Sequence, residues 1–179
     1  EECLRNNEDA AKNPKYEDFA NSILNNVLEK IGVFSGVSFE DGITGIALAI
    51  DHLIKERYIK GNTTSFFESI DDKLFQYAYF RNIDPIKKES FNANNLLWIC
   101  LYFCQRIQSK ELSNENEIII KRLLIECVNL LENRIRDDYT LLREPTGFSP
   151  FSYFLPNFIL FLSKLYEIEL YTYKIDVLC

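Results

Sequence analysis

The sequence has few of the residues that end helices and build tight turns, with 6 glycines and 5 prolines in 179 residues. This scarcity argues against a turn-rich all-β fold. Long hydrophobic runs are also missing, since the longest, residues 96–104, is far shorter than the ~20 residues that span a bilayer. The hydrophobic share of 47% is still enough for one buried core. We therefore expect a globular protein without a membrane segment.

Basic residues are outnumbered, because 20 Lys and Arg stand against 27 Asp and Glu and leave a net charge of −7. An acidic chain repels the phosphate backbone of nucleic acids. The charges are spread along the sequence and form no charged tail. We expect neither a nucleic acid nor a membrane among its partners.

Cysteines are odd in number and irregular in spacing, at Cys3, Cys100, Cys104, Cys127 and Cys179. In a helical chain this pattern is typical of small buried hydrophobic residues in a reducing compartment, so a cytoplasmic location is expected. Methionine is absent, the sequence starts with a glutamate, and it stops within an apolar run. Both termini are therefore expected to be cuts in a longer polypeptide.

Apolar residues recur at helical spacing along the whole chain. After Pro14, a favoured first residue of a helix, the spacing of Phe19, Ile23 and Val27 predicts the first helix. We expect residues 1–13 to be a flexible segment and residues 14–179 to form one helical domain. Five further helices and the start of a seventh are predicted to begin near Asp41, Thr63, Asn92, Ser113, Pro150 and Tyr171.

Helices of two kinds alternate in this pattern. The second, fourth and sixth are apolar almost all round, at residues 43–50, 96–104 and 158–162, whereas the third and fifth carry charges on one face. A Ser-Phe or Pro-Phe pair precedes each apolar helix at intervals of roughly fifty to sixty residues, as in a stacked repeat of helical hairpins. The predicted fold is all-α, an α/α toroid-like array that forms a partial ring of about three hairpins after a leading helix.

The start of the second helix has an unusual composition. Asp41 is expected to be an acidic cap, and it is followed by Gly42 and Gly45, with Gly36 in the preceding loop. Glycines near a helix start lower helix stability in isolation. They are tolerated where a neighbouring backbone must approach closely. We therefore expect Gly36, Gly42 and Gly45 to be structural residues of a tight junction.

The segment FSGVSFEDGITGIA at residues 34–47 resembles the lanthionine synthetase C-like (LanC-like) proteins. The stretches LPNF at residues 155–158 and LSKLY at residues 162–166 are similar to an inner helix of the same family. The resemblance covers most of the chain, as the N-terminal half of a toroid. It implies two concentric rings of helices. In the best-known members it also implies a zinc ion that activates a peptide cysteine for addition to a dehydrated Ser or Thr.

The zinc-binding part of that pattern does not occur in this sequence. The resemblance implies one Cys ligand and a later Cys-His pair, whereas the one histidine, His52, lies between Asp51 and Leu53 and no Cys-His-Gly is present. In the family these ligands lie in the second half of the toroid, so they are either outside this sequence or missing from this member. No cofactor is expected in this segment, and whether the protein is an enzyme stays open.

Several residues that often carry chemistry have simpler structural explanations. His52 is expected at the polar end of the second helix rather than as a base or ligand. Cys100 and Cys104 share a helical face, which prevents a disulfide between them, and a tetrahedral zinc site needs more than two ligands, so core packing is expected. Glu40 and Asp41 are expected to cap the second helix, because the equivalent positions of the next repeats hold no second carboxylate.

Polar and aromatic clusters beside the apolar helices are the candidate contact sites. Asn92, Asn94 and Asn95 lie at the start of the fourth helix, where they either cap it or line a cavity mouth and contact a peptide or sugar. A second cluster follows the last apolar helix and either grips a partner or covers the next hairpin. Its members are Tyr166, Tyr171 and Tyr173.

Three functions are compatible with these patterns. The first is a LanC-like domain in the maturation of a ribosomally made peptide, without a zinc-cyclase site in this segment. The second is a non-catalytic helical scaffold that binds a peptide or a partner protein. The third, an α/α-barrel carbohydrate enzyme, is disfavoured by the lack of paired carboxylates. The open ends of a partial ring would expose apolar surface, so self-association or a fitted partner protein is also expected.

Overall fold

A computed structural model describes residues 14–30, 36–56, 58, 64–83, 92–137 and 154–170 of the chain. The chain divides into two compact units, Glu1–Ser35 and Gly36–Cys179. The described residues of the first unit form one helix, α1 (Pro14–Lys30). Those of the second form α2 (Ile43–Lys55), α3 (Thr64–Tyr77), a π-helical segment (Ala78–Ile83), α4 (Ala93–Ser109), α5 (Asn114–Asp137) and α6 (Phe154–Glu167). No strand occurs in these ranges, so the predicted all-α class is confirmed.

Local signals placed several helix ends correctly. Pro14 is the first residue of α1, as predicted. The Ser113 hydroxyl accepts a hydrogen bond of 3.2 Å from the backbone N–H of Asn116 at the start of α5. Pro156 lies in the first turn of α6, where a missing N–H removes no intrahelical bond. The helix predicted near Tyr171 falls outside the described residues.

The cap of α2 differs from the prediction, because Gly42 and not Asp41 is the N-cap residue. The Ser38 hydroxyl donates to the Asp41 carboxylate, and the Asp41 N–H donates back to the Ser38 hydroxyl at 3.2 Å. Asp41 therefore closes the loop before the helix. The first free N–H of α2, from Ile43, instead donates to the Gly36 carbonyl at 3.1 Å, so a loop carbonyl replaces a side-chain cap.

Two of the three glycines are required by a close approach of backbone, as expected. A Cβ at Gly42 would lie 2.6 Å from the Ser38 carbonyl oxygen, and one at Gly45 would lie 2.9 Å from the Phe39 carbonyl carbon. Both neighbours are main-chain atoms that cannot rotate away. Gly36 differs, because the nearest atom to its Cβ position is 4.0 Å away. The steric requirement for glycine is thus confined to the helix start.

The helices α2, α4 and α6 lie side by side and run in the same direction. Near their N-terminal ends, Phe39 before α2 stacks on Trp98 of α4 with ring centroids 3.9 Å apart. Near their C-terminal ends, the Gln105 amide of α4 donates to the Asp51 carboxylate of α2. The Gln108 amide, also close to the end of α4, donates to Glu167 at the end of α6 at 2.6 Å. In the α2–α4 pair and in the α4–α6 pair, the contacts therefore join corresponding ends of the two helices, and α4 lies between α2 and α6.

The helices α3 and α5 run antiparallel to α4. Phe67 near the start of α3 lies beneath Arg106 near the end of α4, with the guanidinium carbon 4.5 Å from the ring centroid. Helix α5 starts five positions after α4 ends and packs against it, so the chain reverses direction between the two helices, and Cys127 of α5 lies near Cys100 of α4. The π-helical segment packs against both α4 and α5. Consequently α3 and α5 are parallel to each other, and the direction of the chain alternates from α2 through α6.

The sequence predicts helices that are apolar almost all round, and such a helix should be covered on every side, which holds for α4 and not for α6. No residue of α4 between positions 93 and 107 is exposed. In α6, by contrast, Leu155, Ile159 and Leu160 are exposed, because α6 packs chiefly on α4 along one face. Among the described helices, none has the length and apolar character needed to cross a membrane.

Candidate functional site

A buried arginine organises the polar contacts between α3 and α4. Arg106 is 2% exposed at its side chain and lies between two carboxylates. Its guanidinium donates to Glu111 at 2.7 Å and to Asp71 at 3.3 Å. The Tyr102 hydroxyl donates to the other Asp71 oxygen at 2.5 Å, and the Phe67 ring supplies a cation–π contact. The buried charge is therefore fully paired, as a buried cation must be.

Burial and pairing act against each other on the pKa values of this network. Burial raises the pKa of Asp71 above its usual value, while the hydrogen bond from Tyr102 and the charge of Arg106 lower it. Burial likewise raises the pKa of Tyr102, and the Asp71 charge adds to that effect. Burial by itself would lower the pKa of Arg106, but the nearby Asp71 carboxylate raises it overall. Arg106 is thus a permanent cation, and Tyr102 stays a neutral donor.

A second buried carboxylate, Asp51, is held in the same way between α2 and α4. Its Oδ2 forms an ion pair with the ammonium group of Lys55 in the same helix at 2.7 Å. The same oxygen accepts a hydrogen bond from the side-chain amide of Gln105. Both Asp51 and Asp71 therefore have partners within the chain. Their arrangement joins neighbouring helices.

An open groove runs along the surface between α3 and α5. It consists of two adjoining pockets of about 190 and about 300 Å³ that share Phe75 and Ile119 as walls. We call this feature the α3–α5 groove. The lining residues are Asp71, Asp72, Phe75, Tyr79, Phe103, Leu112, Asn116, Ile119, Ile120, Arg122, Leu123 and Glu126.

Large apolar side chains are left accessible along this groove. Tyr79 is 44% exposed and Ile119 is 43% exposed, so each side of the groove offers a large apolar residue to solvent. The Phe75 and Tyr79 rings stack at 5.9 Å, and Phe80 meets Tyr79 edge-on at 5.4 Å. The π-helical segment carries Tyr79 and Phe80, and such wider turns are frequent at functional sites. These rings form an apolar rim on one side of the groove.

Charged residues mark the two ends of the groove. Asp71, Asp72 and the amide of Asn116 lie at one end. At the other end Arg122 and Glu126 face each other in an ion pair of 3.2 Å one helical turn apart. The opposite charges of Arg122 and Glu126 offset each other, so the acidic character is concentrated at the Asp72 end.

The residues singled out from the sequence lie elsewhere. None of Gly36, Gly42, Gly45 or His52 lines the groove, and His52 is an exposed residue in the last turn of α2, as expected. Asn92 is the N-cap of α4, and its side-chain Oδ1 accepts a hydrogen bond from the backbone N–H of Asn95 at 3.0 Å. Asn92, Asn94 and Asn95 do not line the groove either. Their contact with a ligand stays a prediction.

A sequence signal for the groove did exist. The buried stripe of α3 and the π-helical segment is Phe67, Ile70, Leu74 and Ala78, at regular helical spacing. The aromatic residues at positions 75, 79 and 80 lie off that stripe, where a helix covered on one face alone would carry polar residues. The sequence analysis did not identify these aromatic residues, because its candidate sites were sought among polar, titratable and metal-ligating residues. Apolar residues outside the buried stripe were not considered.

The described cysteines are core residues. Cys100, Cys104 and Cys127 are buried and unpaired by disulfides. Burial raises the pKa of Cys100 well above its usual value and that of Cys104 to about 12. Within the described ranges, no group of three or more His, Cys, Asp or Glu side chains is placed to hold a metal ion. Core packing, as predicted for Cys100 and Cys104, accounts for their position.

These three thiols are expected to resist alkylation in the native protein because all three are buried, and the raised pKa values of Cys100 and Cys104 also suppress the reactive thiolate at those two positions. The measurement is iodoacetamide labelling of a Cys3→Ser/Cys179→Ser variant at mildly alkaline pH, read by mass spectrometry. The same protein in urea should label at all three positions. Native labelling of Cys100 or Cys104 at the rate of a free thiol would contradict the buried placement.

Comparison with known proteins returned no relatives for this chain. No family model matches the sequence. No curated protein matches it, and no solved structure matches its fold. Function is therefore inferred from the geometry of the described residues, and the LanC-like resemblance stays a prediction.

Proposed function

We propose that this protein is a non-catalytic helical scaffold that binds an amphipathic helical segment of a partner protein in the α3–α5 groove. The observation that carries the proposal is the apolar rim, in which Tyr79 and Ile119 are exposed and the half-buried Phe75 lines the groove between them. Accessible aromatic side chains on a rigid support are typical anchors of protein interfaces. An apolar stretch of a binding partner would remove this surface from water.

The open shape of the groove favours a peptide over a small molecule. Its two pockets, of about 190 and about 300 Å³, both open to solvent, whereas small-molecule sites are concave and bury most of the ligand surface. Two adjoining pockets between helices suit successive side chains on one face of a docked helix, as in other helix-in-groove complexes. The acidic Asp72 end complements a basic segment, in keeping with the net charge of −7.

The proposal is tested by selecting binders from a displayed library of random helical peptides. Peptides recovered on the unaltered protein are expected to bind the Ile119→Asp variant at least about tenfold more weakly, because a buried carboxylate would replace an apolar wall. The readout is the dissociation constant from fluorescence anisotropy.

Ile118 offers a matched control for that variant. It is the neighbour of Ile119 on α5 and is 69% exposed, but it does not line the groove. The Ile118→Asp variant should keep the affinity of the unaltered protein. Selected peptides that lose affinity equally with both variants, or with neither, would refute the groove as the binding site.

A second candidate, a LanC-like domain in peptide maturation, is favoured by a different observation. The parallel course of α2, α4 and α6 with α3 and α5 antiparallel is the arrangement that successive helical hairpins of an α/α array adopt. In this proposal the described helices belong to the first half of a toroid. The coding sequence downstream should then contain one Cys and a later Cys-His pair, and zinc analysis of the longer protein should find one ion per chain. A longer protein without those residues would exclude the cyclase.

A further inference from the structure

The smaller pocket of the groove has apolar walls and an acidic end. Phe75, Phe103, Leu112 and Ile120 supply the walls, and Asp71, Asp72 and Asn116 supply the polar atoms. An apolar shaft that leads to carboxylates is the complement of a lysine side chain, whose methylenes pack against apolar surface and whose ammonium group seeks oxygen atoms.

The charges around this pocket are not balanced. Asp71, a lining residue, shares one cation with Glu111, namely Arg106, which is almost fully buried and does not line the pocket. Asp72 adds a third carboxylate, and its charge is close enough to Asp71 to raise the pKa of Asp71. This like-charge repulsion is relieved when a cation enters from the open side.

We propose that this pocket receives the side chain of a lysine on the docked partner helix, and that Asp72 is its principal counter-ion. The inference rests on the proposed function, because the pocket is one end of the α3–α5 groove. Asp71 is committed to Tyr102 and Arg106, so it supplies background charge, while Asp72 is exposed at the pocket mouth. The groove thus selects partners whose apolar stripe ends in a lysine.

The test uses three synthetic helical peptides that share one leucine stripe and differ at a single terminal position, which is Lys, Gln or Glu. The lysine peptide should bind the unaltered protein about tenfold more tightly than the glutamine peptide, and the glutamate peptide should bind most weakly. The Asp72→Asn variant should remove most of the preference for lysine over glutamine, measured as the ratio of the two dissociation constants. Asp137→Asn, an exposed aspartate that does not line the groove, is the control that should keep the preference.

The outcomes separate this inference from the proposed function. Equal affinity for the three peptides, with binding still sensitive to Ile119→Asp, would overturn the lysine pocket and leave the groove intact. Binding that is insensitive to Ile119→Asp would overturn both. A lysine preference that survives Asp72→Asn would show that another carboxylate receives the ammonium group, and would also overturn the assignment.

Discussion

Replacing Gly45 by alanine is expected to lower the free energy of unfolding by about 3 kcal/mol, because the new Cβ has no room. It would contact the Phe39 carbonyl group, whose carbon lies 2.9 Å from the Cβ position. The Phe39 main chain cannot retreat freely, since its ring is stacked on Trp98 of α4. Alanine gains up to about 1 kcal/mol of helix propensity at an unhindered site, so the steric effect must exceed that gain to appear. Urea unfolding followed by circular dichroism measures the difference.

Gly36 supplies the matched control for this experiment. Nothing lies nearer than 4.0 Å to its Cβ position, and its backbone does not have a positive φ angle. Gly36→Ala should therefore change stability by less than about 0.5 kcal/mol. Failure of Gly45→Ala to fold would agree with the steric argument. Equal stability of the Gly45→Ala and Gly36→Ala variants would show that the loop does not pack on α2 as described.

Replacing Arg106 by methionine is expected to destabilise the protein by about 3 kcal/mol, because it leaves Asp71 and Glu111 without their shared cation. Methionine keeps most of the side-chain volume, so the loss reports on charge more than on a cavity. The control is Arg122→Met, whose side chain is 82% exposed and paired with Glu126 at the surface. That change should cost less than about 1 kcal/mol.

The pH dependence gives this prediction a second readout. Burial already raises the pKa of Asp71 above 3.8, and loss of Arg106 would raise it further. A carboxyl group with a raised pKa in the folded state contributes most to stability while it is protonated, and that contribution is lost as the pH rises through the folded-state pKa. The loss in free energy of unfolding caused by Arg106→Met, relative to the unaltered protein, should therefore be smallest below pH 3.8 and grow as the pH rises.

A double variant distinguishes loss of the Arg106–Asp71 interaction from general destabilisation by each substitution alone. Arg106→Met combined with Asp71→Leu replaces the two facing charges by apolar groups, which is often neutral once both partners are removed. The double variant should be more stable than the sum of the single effects predicts, with a coupling energy of about 1–3 kcal/mol. Additive effects would mean that Arg106 and Asp71 do not interact in the folded protein.

Helix starts were predictable where one residue or a short motif decides them. Pro14 opens α1 and Ser113 caps α5, because a fixed φ angle and a hydroxyl acceptor act over a few residues. Asp41 failed as a predicted cap for a related reason. The backbone N–H of Ile43 donates to the carbonyl of Gly36, which lies seven positions earlier in the chain. A capping motif spans one helical turn, so it does not include a bond over that distance.

The groove and the arginine network could not be read from local patterns. Arg106 meets Asp71 across 35 positions of sequence, and Phe75 and Ile119 meet as walls of one groove although they lie on different helices. These meetings depend on the rotation and axial shift of each helix against its neighbours. Periodicity indicates which face of a helix is apolar. It does not indicate which neighbouring helix will pack against that face.

By itself the sequence determined that this chain folds into helices, that residues 96–104 belong to a helix that is apolar almost all round, and that Gly42 and Gly45 mark a close backbone approach. Those properties follow from propensity, apolar periodicity and the absence of a Cβ, all of which are local. The tertiary structure alone decided that α3 and α5 stand side by side with an accessible apolar rim, and that the far face of α6 stays open. These properties depend on packing, because an apolar surface is buried only if a neighbouring helix lies against it.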